Sequence, residues 1–258
     1  MITSLKNPLV KYVLKLKRKR AFRHAERRFV VEGLRETKRA IAGGFKPEMW
    51  LICPEILKKS PVYVKGEISE VSTVVYEHLA YRGGTEGILG IFVMRDFAFD
   101  MLEDISEPFV LIAEGIQKPG NMGAIMRTAD GAGIDALIFI NPDTDLYNPN
   151  VIRASLGTLF TQKIIVGTMD DLKRLKRFHR MKIFAATLQN SHIYWDEDYK
   201  GATGIAVGEE AEGLSNDMRN LADQSIYIPM HGVADSLNVS VATGILVYEA
   251  LRQRNESR

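Results

Sequence analysis

Short apolar runs alternate with helical patterns along the second half of the chain. The runs include FVLIAE, ALIFIN, KIFAAT and TGIAVG, and they are apolar at nearly every position. Strands that are apolar on both sides favour a parallel sheet whose two faces are covered by helices. The pattern therefore predicts an α/β domain that ends in a long helix from about Asn238 to Arg254.

The first part of the chain has a different pattern. Residues 8–25 carry an imperfect apolar stripe between basic residues, which predicts a helix. The segment FVVEG at 29–33 predicts a strand that leads into a second helix, which stops at the pair Gly43–Gly44. Further strands are predicted at 48–53, 70–75 and 87–94, where β-branched residues are flanked by Gly or Pro.

The change of pattern near residue 95 predicts two domains. We expect a small α/β domain over residues 1–95, a linker over residues 96–107 and the larger domain over residues 108–258. A chain of 258 residues with 46% hydrophobic and 26% charged residues can bury a core in each of them.

No membrane-spanning, secretory or metal-binding segment is predicted. No apolar run approaches the roughly 20 residues that cross a bilayer, and the N-terminus lacks an apolar stretch followed by a cleavage site. The single Cys53 excludes an internal disulfide framework, and the five His residues are scattered. These features predict a cytoplasmic protein without a membrane or a metal.

The charge is distributed unevenly along the chain. Residues 1–28 hold ten Lys or Arg residues and one acid, Glu26, although the formal net charge of the whole chain is only +2. A basic block on an otherwise mildly acidic protein is typical of a phosphate-binding surface, and it equally describes a solvated helix face. The residues expected to contact phosphate in this block are Lys17, Arg18, Lys19, Arg20, Arg23 and Arg27.

Common nucleotide motifs are missing from the sequence. There is no G-x-x-x-x-G-K-[ST] and no G-x-G-x-x-G after a strand, because Gly115, Gly120 and Gly123 have the wrong spacing. Their absence disfavours a phosphate-loop enzyme, a dinucleotide fold and the common Rossmann-type methyltransferase.

Three segments of the larger domain are unusual for a pure scaffold: 113–133, 206–215 and 228–254. In the first, a strand ends in a loop with Asn121, and Arg127 lies in the helix after that loop. In the second, glycines bracket acids at a strand end, and in the third a strand joins a helix that begins with small residues. Taken singly, each has a structural explanation as a helix cap or an exposed helix residue.

Together the three segments resemble the SpoU family of RNA ribose 2′-O-methyltransferases, within the SPOUT superfamily. The likeness covers about residues 108–254, with the motifs in the family's order. The first 95 residues, especially Phe29-Val30-Val31-Glu32-Gly33, resemble the small substrate-binding domain that many members carry. The motifs are Asn121-x-Gly123-Ala124-x-x-Arg127, Asn150-x-x-Arg153-x-Ser155-x-Gly157, Gly208-x-Glu210-x-x-Gly213-Leu214-Ser215, Ile228-Pro229-Met230 and Ser236-Leu237-Asn238-Val239-Ser240-Val241-Ala242.

This resemblance implies a fold, a cofactor and partners. It implies a parallel sheet whose chain forms a trefoil knot, S-adenosylmethionine as cofactor, a homodimer, and a structured ribosomal or transfer RNA as substrate. The catalytic residues that it implies are Asn121, Arg127, Glu210, Ser236 and Asn238. The cofactor-binding residues that it implies are Thr187, Leu188, Gly208, Glu210, Ile228, Met230 and Leu237. Arg127 and Arg153 join the basic block as RNA-binding residues.

Arg127 is open to two interpretations. The family's arginine at this position is discussed as a base, but a guanidinium stays protonated and offers no acceptor. We therefore favour Arg127 as a phosphate clamp that also stabilises the developing alkoxide.

Two other classes of function stay open at this point. One is a non-catalytic RNA-binding or ribosome-assembly factor on the same scaffold, which binding of S-adenosylmethionine would disfavour. The other is a small-molecule enzyme on a doubly wound sheet, which the basic N-terminus disfavours.

Overall fold

The computed structural model describes residues 1–57, 61–81, 86–97, 99, 102–210 and 212–256. These residues form two compact units. The first comprises residues 1–96 together with 145–161, and the second comprises residues 97–144 and 162–258. The segment 145–161, which the sequence placed in the larger domain, therefore groups with the N-terminal unit. No described helix is long and apolar enough to span a membrane.

The first unit is a four-stranded mixed sheet with helices around it. Its sheet has the order β1-β4-β2-β3, in which β4 is antiparallel to β1 and β2, and β3 is parallel to β2. The elements are α1 (Pro8–Arg18), α2 (Arg20–Glu26), β1 (Arg28–Glu32), α3 (Leu34–Ala42), β2 (Pro47–Ile52), β3 (Glu67–Glu70), α4 (Thr73–Leu79) and β4 (Ile88–Val93), with α6 (Pro149–Ala154) and a 3-10 turn (Thr158–Phe160) in the segment 145–161.

The predicted N-terminal helix is divided in two at Lys19. Lys19 has extended backbone angles, φ −117° and ψ 108°, which end α1. The side chain of Arg23 on α2 turns back and donates to the carbonyl oxygens of Leu16 (2.7 Å) and Lys17 (3.2 Å). Arg23 thus satisfies acceptors that the break leaves without intrahelical partners.

The predicted strand at 70–75 is wrong beyond its first residue. The strand β3 ends at Glu70, and Ser72 begins a helix by accepting a hydrogen bond from the amide of Val75. Tertiary burial decides the outcome, because Val75, Tyr76 and Leu79 share one buried helix face. β-Branched residues fit a helix when their packing there outweighs their preference for strands.

The segment 145–161 is held to the first unit by aromatic packing and a buried ion pair. The ring centroid of Phe29 lies 4.3 Å from that of Tyr147 and 5.9 Å from that of Phe160. Arg23 pairs with Asp145 at 2.7 Å, and both side chains are almost fully buried. A chain cut at residue 96 would therefore expose a buried surface of this segment.

The second unit is a seven-stranded sheet, parallel throughout, in the order β7-β6-β5-β10-β8-β11-β9. This arrangement confirms the predicted α/β class. Its elements are β5 (Phe109–Glu114), α5 (Pro119–Ala132), β6 (Ala136–Ile140), β7 (Ile164–Gly167), α7 (Met169–His179), β8 (Lys182–Ala186), β9 (His192–Ile193), β10 (Thr203–Val207), α8 (Asn216–Leu221), β11 (Gln224–Tyr227) and α9 (Val239–Asn255).

Helices cover both faces of this sheet. On one face, Leu172 of α7 and Met218 of α8 pack on the strands, and Leu102 from the predicted linker joins the same core. Residues 98, 100 and 101 of that linker lie outside the described residues. On the other face, α5 and α9 contact each other, and they contact β6 and β10 respectively.

We expect Arg23→Ala to lower the free energy of unfolding by about 3–5 kcal/mol, because it leaves Asp145 buried without its main partner. The matched control is Arg27→Ala, which breaks the exposed pair with Asp96 and should have a much smaller effect, because solvent screens that pair. Urea denaturation of the full chain measures both. Equal, small losses would show that the buried pair contributes no more than a surface one.

Candidate active site

Three segments that are far apart in sequence meet in one hydrogen-bonded cluster. Asn121 donates from Nδ2 to Oε1 of Glu210 at 2.9 Å. Asn238 donates from Nδ2 to the same Glu210 oxygen at 2.6 Å and to Oδ1 of Asn121 at 3.2 Å. Lys118 forms an ion pair with the other oxygen of Glu210. Three of the five predicted catalytic residues thus form one constellation around a single carboxylate.

The cluster keeps Glu210 anionic. The ammonium of Lys118 is the largest cause that lowers the pKa of Glu210 below its ordinary value, and the donors on Asn121 and Asn238 lower it further. A carboxylate that accepts several hydrogen bonds and faces a cation is stabilised in its charged form. Glu210 therefore carries its negative charge throughout the neutral range.

Local structure holds each member of the cluster in place. Helix α5 begins at Pro119, whose fixed φ and missing N–H suit a first helical turn, and Asn121 lies in that turn. Asn238 caps α9, because its Oδ1 accepts from the amide of Ser240 (3.0 Å) and from its hydroxyl (2.6 Å). The capping interaction leaves Nδ2 of Asn238 directed at Glu210 and Asn121.

A cavity of about 380 Å³ opens beside the cluster at the carboxyl ends of β8, β10 and β11. Its volume lies in the range of small-molecule sites. Ser236 also lines it, so Glu210 and Ser236 connect the cavity to the catalytic set. All seven residues predicted to bind the cofactor line this cavity: Thr187, Leu188, Gly208, Glu210, Ile228, Met230 and Leu237.

The described lining of the cavity combines apolar side chains with several acidic ones. Its carboxylates are Glu209, Glu210, Glu212 and Asp235, and its one basic residue is Arg219. Such a site favours a ligand with an apolar ring system and positive charge. The residues present therefore fit S-adenosylmethionine, which has an adenine ring, a sulfonium and an ammonium group.

Gly208 allows the two ends of the 208–215 loop to touch. A Cβ at this position would lie 2.2 Å from the carbonyl carbon of Gly213 and 2.5 Å from the amide nitrogen of Leu214. Both neighbours are backbone atoms, so no side-chain rearrangement can make room. The close approach fixes the loop that carries Glu210.

Sequence reasoning missed Glu114, the last residue of β5. Its carboxylate is 8% exposed and accepts from the amide (2.9 Å) and the hydroxyl (2.7 Å) of Ser215. Ser215 in turn caps α8, so Glu114 anchors the end of the 208–215 loop. The available signal was an acid at the end of an otherwise apolar strand.

Arg127 lies apart from the hydrogen-bonded cluster. It is exposed on α5, and it makes no hydrogen bond or ion pair with any described residue. Its guanidinium is therefore available to a substrate phosphate.

The basic block divides into structural and exposed cations. Arg23, which was predicted to bind RNA, is 2% exposed and engaged with Asp145 and backbone carbonyls, so its side chain is not exposed to a partner in this structure. Lys17 is mostly buried and pairs with Glu32 at 2.9 Å. Arg27 pairs with Asp96 at the surface. The side chains of Arg18, Lys19 and Arg20 are exposed.

Arg153 lies on α6 in the first unit. Its guanidinium carbon lies 3.5 Å from the ring centroid of Tyr81. As for metals, no group of three or more His, Cys, Asp or Glu side chains in the described parts of the chain could hold an ion.

A parallel sheet with a ligand-sized cavity at its carboxyl edge places the second unit among α/β proteins that bind ligands at this edge. The chain belongs to the SpoU rRNA methylase family, whose model matches residues 108–248. The model of the MRM3-like substrate binding domain matches residues 7–90.

The comparison with individual proteins agrees with this family. The chain is 36% identical over 155 residues to the 23S rRNA (guanosine-2′-O-)-methyltransferase RlmB of Pectobacterium atrosepticum, covering 60% of this chain and 64% of that protein. The chain thus spans just under two thirds of the length of this curated relative.

Solved structures match almost the whole chain. The crystal structure of an RNA 2′-O ribose methyltransferase has a TM-score of 0.85 and 35% identity, covering 98% of each chain. An AdoMet-bound rRNA methyltransferase from Sinorhizobium meliloti has a TM-score of 0.86 and 32% identity, covering 97% of each chain.

We expect Gly208→Ala to weaken binding of S-adenosylmethionine at least tenfold, because the added methyl group pushes the 208–215 loop away from its contact. Titration calorimetry measures the affinity. The control is Lys200→Ala, which changes an exposed residue elsewhere in the same unit and should leave the affinity unchanged. Normal binding by Gly208→Ala would contradict the role of this contact.

Proposed function

We propose that this protein transfers a methyl group from S-adenosylmethionine to a ribose 2′-hydroxyl of ribosomal RNA. The observation that carries the proposal is the position of Glu210, which belongs both to the Asn121–Asn238 cluster and to the lining of the acidic cavity. The matched relative from Pectobacterium atrosepticum acts on 23S rRNA, and this supports ribosomal over transfer RNA as the substrate.

The cavity would hold the cofactor, and the cluster would orient the reacting groups. S-adenosylmethionine supplies an electrophilic methyl group on a sulfonium, so the new oxygen–methyl bond forms as the sulfur–methyl bond breaks. The fixed negative charge of Glu210 favours a cation beside it. The amide groups of Asn121 and Asn238 and the hydroxyl of Ser236 would hold the ribose and the cofactor in line.

Arg127 acts on the RNA side of this reaction. Its exposed guanidinium would bind the phosphate next to the target ribose in a bidentate way, which positions the 2′-oxygen. The same positive charge stabilises the negative charge that develops on that oxygen as its proton passes to water.

The active form that we propose is a homodimer formed through α9. The part of this helix up to Tyr248 has apolar residues on all sides: Leu246 and Val247 are buried within the unit, whereas Val241 and Tyr248 are 51% and 50% exposed. A helix that is apolar all round is normally covered on every face, and a second copy would cover the exposed one. From the family we also propose a trefoil knot in the second unit and action in the cytoplasm, where ribosomes assemble.

The proposal is tested first with the wild-type protein. We expect saturable binding of S-adenosylmethionine without RNA in titration calorimetry, and loss of one 2′-O-methyl group from ribosomal RNA when the gene is deleted. A loss confined to transfer RNA would correct the substrate. No binding at millimolar cofactor would favour a non-catalytic RNA-binding factor.

We expect Arg127→Ala to reduce the methylation rate about 10²–10³-fold while the affinity for S-adenosylmethionine stays unchanged, since Arg127 acts on the transition state from the RNA side. Arg127→Lys should also fail, because an ammonium cannot make the bidentate contact. Arg177→Ala, another exposed arginine on a helix of the same unit, is the control. Normal turnover of both Arg127 variants would make this residue an ordinary surface arginine.

The exposed cations of the basic block should set the salt dependence of RNA binding. Each phosphate contact contributes about 0.7 to 0.9 to the slope of log affinity against log salt. The double reversal Arg18→Glu with Lys19→Glu should therefore make the slope shallower by about 1.4 to 1.8 if both contact phosphate. Filter binding at several salt concentrations measures it, with Lys200→Glu as the control. An unchanged slope would mean that the basic block is a solvated face.

A further inference from the structure

The first unit contains a cavity of its own, of about 470 Å³, that neither the cofactor nor the catalytic cluster uses. It lies where the N-terminal end of α3, the residues after α4 and the helix α6 meet. Its walls are formed chiefly by Glu32, Gly33, Glu36, Tyr81 and Arg153. Its volume is sufficient for a small planar ligand.

One wall of this cavity is a stack of two planar groups. The guanidinium carbon of Arg153 lies 3.5 Å from the ring centroid of Tyr81, which is van der Waals contact. Arg153 itself is exposed, so a ligand can reach its side chain. Guanidinium planes and aromatic rings are the platforms on which proteins stack unpaired nucleic-acid bases.

The other wall carries one carboxylate oxygen without a partner. Both oxygens of Glu32 are engaged, by the ammonium of Lys17 at 2.9 Å and by the amide of Tyr81 at 2.8 Å. In Glu36, whose side chain is 7% exposed, only Oε1 is engaged, by the guanidinium of Arg35 at 2.6 and 3.1 Å. The second oxygen, Oε2, accepts no hydrogen bond from any described residue.

Gly33 leaves this free oxygen accessible. A Cβ at Gly33 would lie 2.8 Å from Oε2 of Glu36, and the φ of Gly33 is +97°, which disfavours any side chain. A carboxylate oxygen accepts hydrogen bonds, so Oε2 can bind a donor group that enters the cavity. A ligand with N–H donors would supply what the protein does not.

We propose that this cavity binds one unpaired guanine of the RNA substrate, stacked on Arg153 and hydrogen-bonded to Glu36. Guanine is the base whose pairing edge presents two adjacent donors, N1–H and the 2-amino group, and a carboxylate accepts both. The side chain of Arg35, which is 52% exposed, lines the same cavity and can contact the phosphate of the bound nucleotide. The identity of the ligand as RNA rests on the proposed function, whereas the cavity itself does not.

The charges of the cavity disfavour simpler ligands. A free phosphate would face the carboxylates of Glu32, Glu36 and Glu86 as well as the cations, so an anion alone is poorly matched. A cation alone would leave the stack of Arg153 on Tyr81 unused and would face its positive charge. A planar base with N–H donors can stack on Arg153 and donate hydrogen bonds to Glu36 at the same time.

The first experiment is saturation-transfer NMR of the full chain with 5′-GMP, 5′-IMP and 5′-AMP. S-adenosylhomocysteine is added at saturation, because it occupies the cavity of the second unit. We expect a strong signal for GMP, a weaker one for IMP, which lacks the 2-amino group, and the weakest for AMP. Glu36→Gln should remove the preference for GMP. Glu77→Gln, which changes an exposed carboxylate on α4, is the matched control and should keep it.

The second experiment measures binding to a 23S rRNA transcript. Arg153→Ala should weaken binding about tenfold through lost stacking. Glu36→Gln should weaken it without changing the salt slope, because a carboxylate makes no phosphate contact. Equal signals for all three nucleotides, or unchanged RNA affinity in both variants, would overturn the proposal.

The outcome separates this proposal from the proposed function. Binding of S-adenosylmethionine and the methylation rate are measured on the same preparations and depend on the second unit. A GMP preference that persists without methylation would leave the cavity assignment standing and reject the enzyme. If methylation proceeds and neither Glu36→Gln nor Arg153→Ala changes it or RNA binding, the enzyme is supported and the guanine site is rejected.

Discussion

The parallel direction of all seven strands in the second unit is the constraint on which its site depends. Parallel strands bring their carboxyl ends to one edge, so the loops after β5, β8, β10 and β11 are neighbours whatever their separation in sequence. Asn121 and Asn238 are 117 residues apart and both donate to Glu210. No local feature of the chain could bring these three groups together without that sheet.

Contacts within and beside the 208–215 loop fix the position of Glu210 at this edge. Gly208 lets the loop of Glu210 close on Gly213, and Glu114 holds the far end of the same loop through Ser215. The electrostatics depend on the geometry, because Lys118 and the two amides lower the pKa of Glu210. A fixed negative charge beside an acidic cavity suits a cationic cofactor better than an anionic nucleotide, which agrees with the missing phosphate-binding motifs.

The first unit shows how one run of cations serves two purposes. Arg23 caps the end of α1 and pairs with Asp145, so it joins the basic helices to the segment 145–161. Arg18 and Lys19 remain exposed on the same run and keep their charge for a partner. The segment 145–161 also brings Arg153 to Tyr81, which completes a cavity that the first 96 residues alone do not form. The residues of the two units are therefore interleaved along the sequence.

The sequence by itself determined most of the elements that depend on local pattern, and it singled out the candidate site residues. Apolar strands alternating with helices predicted the parallel sheet. The ordered motifs singled out Asn121, Glu210 and Asn238, which meet in one cluster, and seven residues that line one cavity. Tertiary structure alone decided that Val75 lies in a helix, that Arg23 is buried and that Glu114 anchors a loop. The physical reason is the same in each case. Burial and pairing depend on which distant segment packs against a residue. The periodicity of the residue's own segment does not identify that distant segment.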